Sequence, residues 1–548
     1  MERCPSLPGI HQQETHAPES IVLTSVLLPV AHGVQELIIC LHRHWDSRGF
    51  IRRIRVSAAN LGSVGSGRVR TKDRHPHFVN GPHMADAFDL VIVGAGPGGY
   101  VAAIRAAQLG LKTAIVERSH LGGICLNWGC IPTKALLKTG EIYEAQSRLG
   151  HHGVSADNPS FDLARTVQRS RDAAKKLSAG VAFLMKKNKV SVVEGTASLA
   201  DGTSAPEVRV TLKNGEVQTM TSNAVILATG ARPLTVPAKG LMPDGNRVWT
   251  YREAMVPEFV PQSIAIVGSG AIGIEFASFY RALGTAVVVI EAQDRILPSE
   301  DPDISSAAQR ALERRGVTFR LNTSVNAVNS TDNEVRLDLG DTGVDVADVV
   351  ILALGITGNV EHLGLEALGV TLERGHVITG ENGMTNVDGL YAIGDVAGPP
   401  WLAHKASHDG IRCVEYIAGV ERTARESPIP RCVYSEPQIA SVGLTEPQAR
   451  ATAREVRVGR YLFRNNGKAI AAGDTDGFIK VLFDADSDQL LGAQLIGPEV
   501  TELVQGFVIA MTLGATGVDL IDCIFPHPTL SEVMHEAILA AHGVPLHM

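Results

Sequence analysis

Cys125 and Cys130 stand five positions apart in Leu121-Gly122-Gly123-Ile124-Cys125-Leu126-Asn127-Trp128-Gly129-Cys130-Ile131-Pro132-Thr133-Lys134. A loop that short constrains an unfolded chain little, because a disulfide's entropic contribution grows with the loop it closes. A chain of 548 residues buries a large core without such help. A bond between these thiols would therefore be useful for its chemistry rather than its support. If the stretch opens a helix, its amide dipoles favour a thiolate. Two other readings stand beside redox use: two unrelated free cysteines, or half of a metal site. Metal pairs usually come with a second Cys or His pair, and none is spaced that way here.

A second constellation lies far along the chain, in His527-Pro528-Thr529-Leu530-Ser531-Glu532. A dithiol must lose protons before it attacks a disulfide. A base poised near neutral pH serves that step, and His is the usual one. Glu532 is near enough in sequence to orient the ring. Taken alone, a His-Pro in a turn is more often structural.

These groups need elements to carry them. Asp89 to Val93 reads as a buried strand, followed by Gly94-Ala95-Gly96-Pro97-Gly98-Gly99 and a small-residue helix, Tyr100 to Leu109. Gly94, Gly96 and Gly99 fit a dinucleotide turn: a tight bend, close approach to a pyrophosphate, and close helix packing, with the helix N-terminus facing the phosphates. The next strand, Thr113 to Val116, ends in Glu117, 23 positions after Gly94, where a carboxylate can accept bonds from ribose hydroxyls. The redox stretch follows directly. A thiol pair beside a dinucleotide suggests a flavin, which passes electrons between thiols and a nicotinamide. Lys134 would place positive charge near it, or else be a solvated helix lysine.

The motif recurs at Gly268, Gly270 and Gly273, with Glu291 again 23 positions after the first glycine. A repeat at domain scale follows. Glu291 suits a free 2′-hydroxyl and repels a 2′-phosphate, favouring NAD over NADP, although Arg295 is nearby. Glu275, at the helix start, could pair with a lysine across the flavin, or simply favour the helix dipole. Between the motifs, 140–190 is polar and helix-like, and Lys175, Lys176, Lys186 and Lys187 read as a solvated face. Strands are expected at Val190 to Ala197 and Val208 to Leu212, with Asn214-Gly215 turning a hairpin. Buried strands ending in turns place Thr229, Gly230 and Ala231, then Gly355, then Asp395 at carboxyl ends of sheets, where ligands sit.

At 45% hydrophobic and 20% charged, the chain reads as globular and multidomain. Its net charge of −8 argues against nucleic acid as the main partner. No run of 18 apolar residues suggests a membrane span. Seven scattered cysteines fit a reducing compartment, and the cytoplasm is expected. Residues 1–84 differ, with ten Lys or Arg against six Asp or Glu and eight of the 19 histidines. They are expected to be an unstructured extension upstream of a natural start at Met84.

Together these residues resemble the pyridine-nucleotide disulfide oxidoreductases, and within that family the dihydrolipoamide dehydrogenase (E3) branch. The marks are Gly122 to Lys134, Gly394-Asp-Val-Ala-Gly-Pro-Pro-Trp-Leu-Ala-His-Lys405, Tyr434-Ser-Glu-Pro-Gln-Ile-Ala-Ser-Val-Gly-Leu-Thr-Glu446, and His527 to Glu532. The resemblance covers 85–548 and implies an α/β fold with two Rossmann-like domains and a C-terminal α+β dimerisation domain. The implied order is FAD-binding 85–232, NAD-binding 233–357, FAD-binding or central 358–425, and dimerisation 426–548. It implies FAD lined by Glu117 to Cys125, Lys134, Thr229 to Ala231, Asp395 and Trp401, Leu402, Ala403 and His404. NAD would be lined by Gly268 to Glu275, Glu291 and Gly355. Cys125 would be the interchange thiol and Cys130 the one against the flavin. His527 would be the base, oriented by Glu532 and delivered from the other subunit of a homodimer. The implied substrate is dihydrolipoamide on an E2 or H-protein carrier. Ile124, Trp128 and Gly355-Ile-Thr-Gly-Asn359 depart from the usual pattern without removing a reacting group. A glutathione-type reductase using NADPH fits less well because of Glu291 and the lack of an arginine pair after that strand. A mercuric reductase would need paired C-terminal cysteines. A non-catalytic flavin scaffold would not need the Cys125, Cys130 and His527 set.

Overall fold

The computed structural model describes residues 22–30, 33–45, 51–58, 88–156, 160–421, 427–452 and 455–548. The chain divides into two units, Met1–His75 and Pro76–Met548. In the first, Val22–Val30, Gly33–Trp45 and Ile51–Ala58 form an antiparallel meander, with Val22 opposite Leu41 and Cys40 opposite Ser57. This differs from the unstructured extension expected there. The sequence of these segments is rich in Val, Ile and Leu, which favour extended backbone. Met84, the expected start, lies outside the described residues.

The second unit opens with a seven-stranded sheet. Phe88–Val93 is an interior strand, and its Leu90, Val91 and Ile92 are wholly buried. Thr113–Glu117 and Ser191–Ala200 lie parallel on one side, Ser222–Leu227 and then Leu390–Ala392 on the other. Near-continuous apolar runs are what a sheet covered on both faces demands. Glu207–Leu212 and Val217–Met220 extend one edge as the expected hairpin around Asn214-Gly215. The long helix Leu163–Lys187 exposes Lys175, Lys176, Lys186 and Lys187.

The next sheet is wholly parallel, in the order Val248–Trp249, Val349–Leu352, Ser263–Val267, Ala286–Ile290 and Val317–Arg320. The chain then returns through Leu390–Ala392 to the first sheet, so the second is inserted into the first. Residues after 430 form an antiparallel sheet, with Phe478–Asp484 and Leu490–Gly497 at its middle and the helices Val500–Leu513 and Glu532–Ala541 packed on it. Phe463, Phe483, Phe507 and Val533 fill that core.

Lys480, 3% exposed, joins the last two parts. It reaches Asp301 at 2.7 Å, Asp303 at 2.9 Å and Glu446 at 3.1 Å. Burial alone would lower its pKa, but the carboxylates outweigh that and raise it. Asp301 also caps the helix Pro302–Arg314. Among the described residues no helix is long and apolar enough to cross a membrane.

Candidate active site

Each glycine-rich turn shows the same three-part use of glycine. Gly94 and Gly268 take φ of +103° and +105°, and a Cβ there would strike the carbonyls of Ala228 and Ala353. Gly99 and Gly273 pack against the carbonyls of Gly94 and Gly268, bringing helix onto turn. Gly96 and Gly270 have no atom within 4 Å of where a Cβ would stand. Open space at a helix N-terminus is what a pyrophosphate approach requires.

The acids match as well. Glu117 accepts the amides of Ala95 and Ser119, both at 2.8 Å. Glu291, 8% exposed, accepts the Ser269 amide at 2.9 Å, the Ser269 hydroxyl at 2.6 Å and the Gln293 amide at 2.9 Å. Every carboxylate oxygen has two lone-pair directions. Capacity for ribose hydroxyls therefore remains on both acids, and the residues of each turn fit a dinucleotide. Arg295 donates to Pro298 and pairs with Asp294 on its own loop.

Cys125 and Cys130 form a disulfide, with Cα atoms 4.8 Å apart. A formed disulfide agrees with the redox reading of the pair. Among the described residues, no cluster of His, Cys, Asp and Glu could hold a metal. Cys125 lies in the short helix Gly123–Trp128, and Cys130 begins the helix Cys130–Ala145. Gly122 and Gly123 have positive φ, and Gly123 packs against Gly96, so the first turn seats the disulfide helix. One turn into the longer helix, Lys134 Nζ bonds both carboxylate oxygens of Glu275, at 2.8 and 2.9 Å. Glu275 is 6% exposed and also accepts the Tyr434 amide at 3.0 Å. The Lys134 ammonium lies 4.3 Å from the Tyr434 ring centroid. Three parts of the chain thus converge beside the disulfide.

His527 and Glu532 meet at Nδ1 to Oε1, 2.9 Å, while the other Glu532 oxygen takes the Thr529 amide. Burial works against the Glu532 charge, but Thr529 and His527 outweigh it and hold its pKa below the ordinary carboxylate range. The imidazole is 78% exposed. Within one chain the structure does not bring it to Cys125.

The remaining expected residues sit at sheet ends. Thr229 and Asn359 bond reciprocally, hydroxyl to carbonyl and amide to carbonyl, both at 2.8 Å. Ala231 is buried and pairs with Gly358, and the Gly355 carbonyl accepts the Leu234 amide. Burial raises the Asp395 pKa, opposed by Lys405 and His376. Leu402 and Ala403 begin the helix Ala403–Ile417, whose Gly410 rests on Gly98 and Ala102 of the first turn's helix. His404 is tied through Nε2 to the Pro430 carbonyl at 2.8 Å. His404 is exposed at the start of that helix.

Sequence reasoning missed the wall of the disulfide helix. Arg171 donates to the Asn127 carbonyl at 2.7 Å and lies 4.5 Å from the Trp128 ring. The Arg252 guanidinium lies 5.2 Å from the same ring. Asn127 in turn donates to Leu121 and Gly123. The one signal in the sequence was Trp128 itself, an indole where the pattern has a smaller residue. A cavity of about 480 Å³ opens beside Glu117, bounded by His120, Trp128, Arg171 and Glu194.

Residues 88–410 match the family described as pyridine nucleotide-disulphide oxidoreductase, and 429–538 match its dimerisation domain. A dihydrolipoyl dehydrogenase of Rhizobium etli is 49% identical over 84% of this chain and 99% of its own length. One of Zymomonas mobilis is 47% identical over 85% of this chain and 100% of its own. Among solved structures, LpdA from Mycobacterium tuberculosis has a TM-score of 0.77 at 27% identity, covering 82% of this chain and 98% of that one. The HOCl-induced flavoprotein disulfide reductase RclA from Escherichia coli has a TM-score of 0.73 at 26% identity, covering 82% of this chain and 99% of that one. With the disulfide, the two dinucleotide turns and the matched length, the chain belongs to the pyridine nucleotide-disulphide oxidoreductase family.

Proposed function

We propose that the chain is an FAD-dependent dihydrolipoyl dehydrogenase that oxidises protein-bound dihydrolipoamide and reduces NAD+. The observation that carries this is the Cys125–Cys130 disulfide seated on the first dinucleotide turn, with Lys134 of its helix held by Glu275 of the second. FAD is assigned to Gly94, Gly96, Gly99, Glu117, Lys134, Thr229, Gly230, Ala231, Asp395, Leu402, Ala403 and His404. NAD is assigned to Gly268, Gly270, Gly273, Glu275, Glu291 and Gly355.

His527, oriented by Glu532, takes the proton from one substrate thiol. The thiolate attacks Cys125 Sγ, the Cys125–Cys130 bond breaks, and Cys130 leaves as thiolate. The second substrate thiol, deprotonated in turn, displaces Cys125 from the mixed disulfide and closes the lipoamide ring. The protein then holds the electron pair on two sulfurs. FAD, when bound, supplies the two-electron carrier between those sulfurs and NAD+. Lys134 keeps positive charge beside the site, and Glu275 fixes its ammonium.

The chain works as a homodimer, because His527 faces outward and serves the disulfide of a second copy. The domains run 85–232 and 358–425 for FAD, 233–357 for NAD and 426–548 for dimerisation. Its substrate arrives on an E2 or H-protein lipoyl carrier, in the reducing cytoplasm. The test is NADH formation by the FAD-loaded protein from NAD+ and dihydrolipoamide, with NADP+ in parallel. Turnover with NAD+ alone is expected. A yellow, FAD-loaded dimer that fails with both would overturn the substrate assignment.

A further inference from the structure

Arg171 is a half-buried guanidinium whose Nε and Nη2 are out of contact with solvent and make no hydrogen bond. No carboxylate pairs with it among the described residues, and none pairs with Arg252. A charge taken from water needs compensation, and here the compensation is aromatic. The guanidinium lies against Trp128, whose π face attracts a cation, while Nη1 is spent on the Asn127 carbonyl. Trp128 stands between the two cysteines. Arg171 comes from the helix Leu163–Lys187 of the first domain and Arg252 from Tyr251–Met255, beside the second sheet. Two guanidinium groups that form no ion pair among the described residues are therefore fastened to the turn that carries the redox pair.

We propose that Trp128 with Arg171 and Arg252 is a positioning and electrostatic clamp that holds the reduced Cys125–Cys130 pair in its thiolate form. It rests on the redox reading of that disulfide. When the pair takes up two electrons, it takes up negative charge with them, and nearby positive charge favours that state over the protonated thiols. Arg171 is the stronger member because it is less hydrated; Arg252 is exposed. Glu117, His120, Lys175 and Glu194 line the cavity that Trp128 and Arg171 also bound; Glu117 accepts the Ala95 and Ser119 amides and Glu194 pairs with Lys213. Lys134 is paired with Glu275, Arg169 donates to Ala135, Glu253 caps Thr250, and Cys432 and Tyr434 are neutral thiol and phenol groups that burial pushes upward. The N-terminus of Cys130–Ala145 adds its dipole independently of the clamp.

The test is the alkylation rate of the reduced, FAD-loaded protein with iodoacetamide across pH, with the modified cysteines identified by mass. Arg171→Met is expected to slow alkylation near pH 7 by about threefold to tenfold and to move the profile to higher pH. Arg252→Met acts in the same direction and less. Trp128→Leu follows Arg171→Met, whereas Trp128→Phe and Arg171→Lys retain part of the effect. Unchanged profiles in folded Arg171→Met and Arg252→Met would overturn the clamp and leave only a packing role. If the wild-type protein, once reduced, shows no modification at Cys125 and Cys130, the redox reading itself fails.

Discussion

Lys134–Glu275 and His527–Glu532 are both pairs of a basic group with a carboxylate, at 2.8 Å and 2.9 Å. Their settings are opposite. The first joins residues 141 positions apart, draws in Tyr434 from a third part of the chain, and buries its carboxylate. The second joins residues five apart, a loop histidine and the first residue of the helix Glu532–Ala541, and leaves its imidazole 78% exposed. One copy of the chain completes the first pair. The second is assembled locally and leaves its ring open to solvent. The closed pair ties three parts of the chain together beside the disulfide, and the open one presents a free ring nitrogen to solvent.

Removing the open base tests that difference most strongly. His527→Gln should lower kcat/KM for dihydrolipoamide by about 100-fold or more, the usual worth of a general base. Its melting temperature should match the parent's, since an exposed ring contributes little packing. A large fall in melting temperature would mean that the loop is structural.

The closed pair predicts the converse. Lys134→Met leaves Glu275 buried with only the Tyr434 amide, and should destabilise the FAD-loaded protein by about 2 kcal/mol in urea unfolding. A change within error would show that the junction relaxes or admits water.

The smallest effect concerns Glu436, two residues beyond Tyr434; the Glu436 amide donates to the Ser278 hydroxyl. Burial pushes Glu436 up to about 7, with Arg315 opposing and Asp474 adding to the rise. Its folded form therefore binds a proton that the unfolded chain releases near 4.5. The stability it contributes is complete below that value and is lost as pH rises to about 7. Glu436→Gln should equal the parent at pH 4.5 and exceed it at pH 8, by about 1 kcal/mol in thermal or urea unfolding. No gain at pH 8 would place Glu436 in water.

Much of this was legible along the chain because the relevant interactions are short-ranged. A glycine triplet, a strand end and an acid 23 positions on describe one strand–helix–strand unit, and both units folded as read. Cys125 with Cys130, and His527 with Glu532, are likewise close enough in sequence for local backbone to bring them together. In the front of the chain, strands over 22–30, 33–45 and 51–58 stand where no structure was expected, because a polar, histidine-rich composition masks short apolar runs.

Other features had no local signal. Trp128 stood out as an unusual residue, but nothing adjacent showed that Arg171, 44 positions from the carbonyl it bonds, and Arg252 would close on it. Glu275 was open to two readings, a lysine partner or the helix dipole. Only the packing of three distant segments selected the lysine and added the Tyr434 amide. The sequence alone determined which groups can do chemistry and the turns that carry them, because those depend on residue type and neighbouring φ and ψ. The tertiary structure decided which charges are compensated and which are left bare. Compensation depends on burial and on partners that chain separation does not encode.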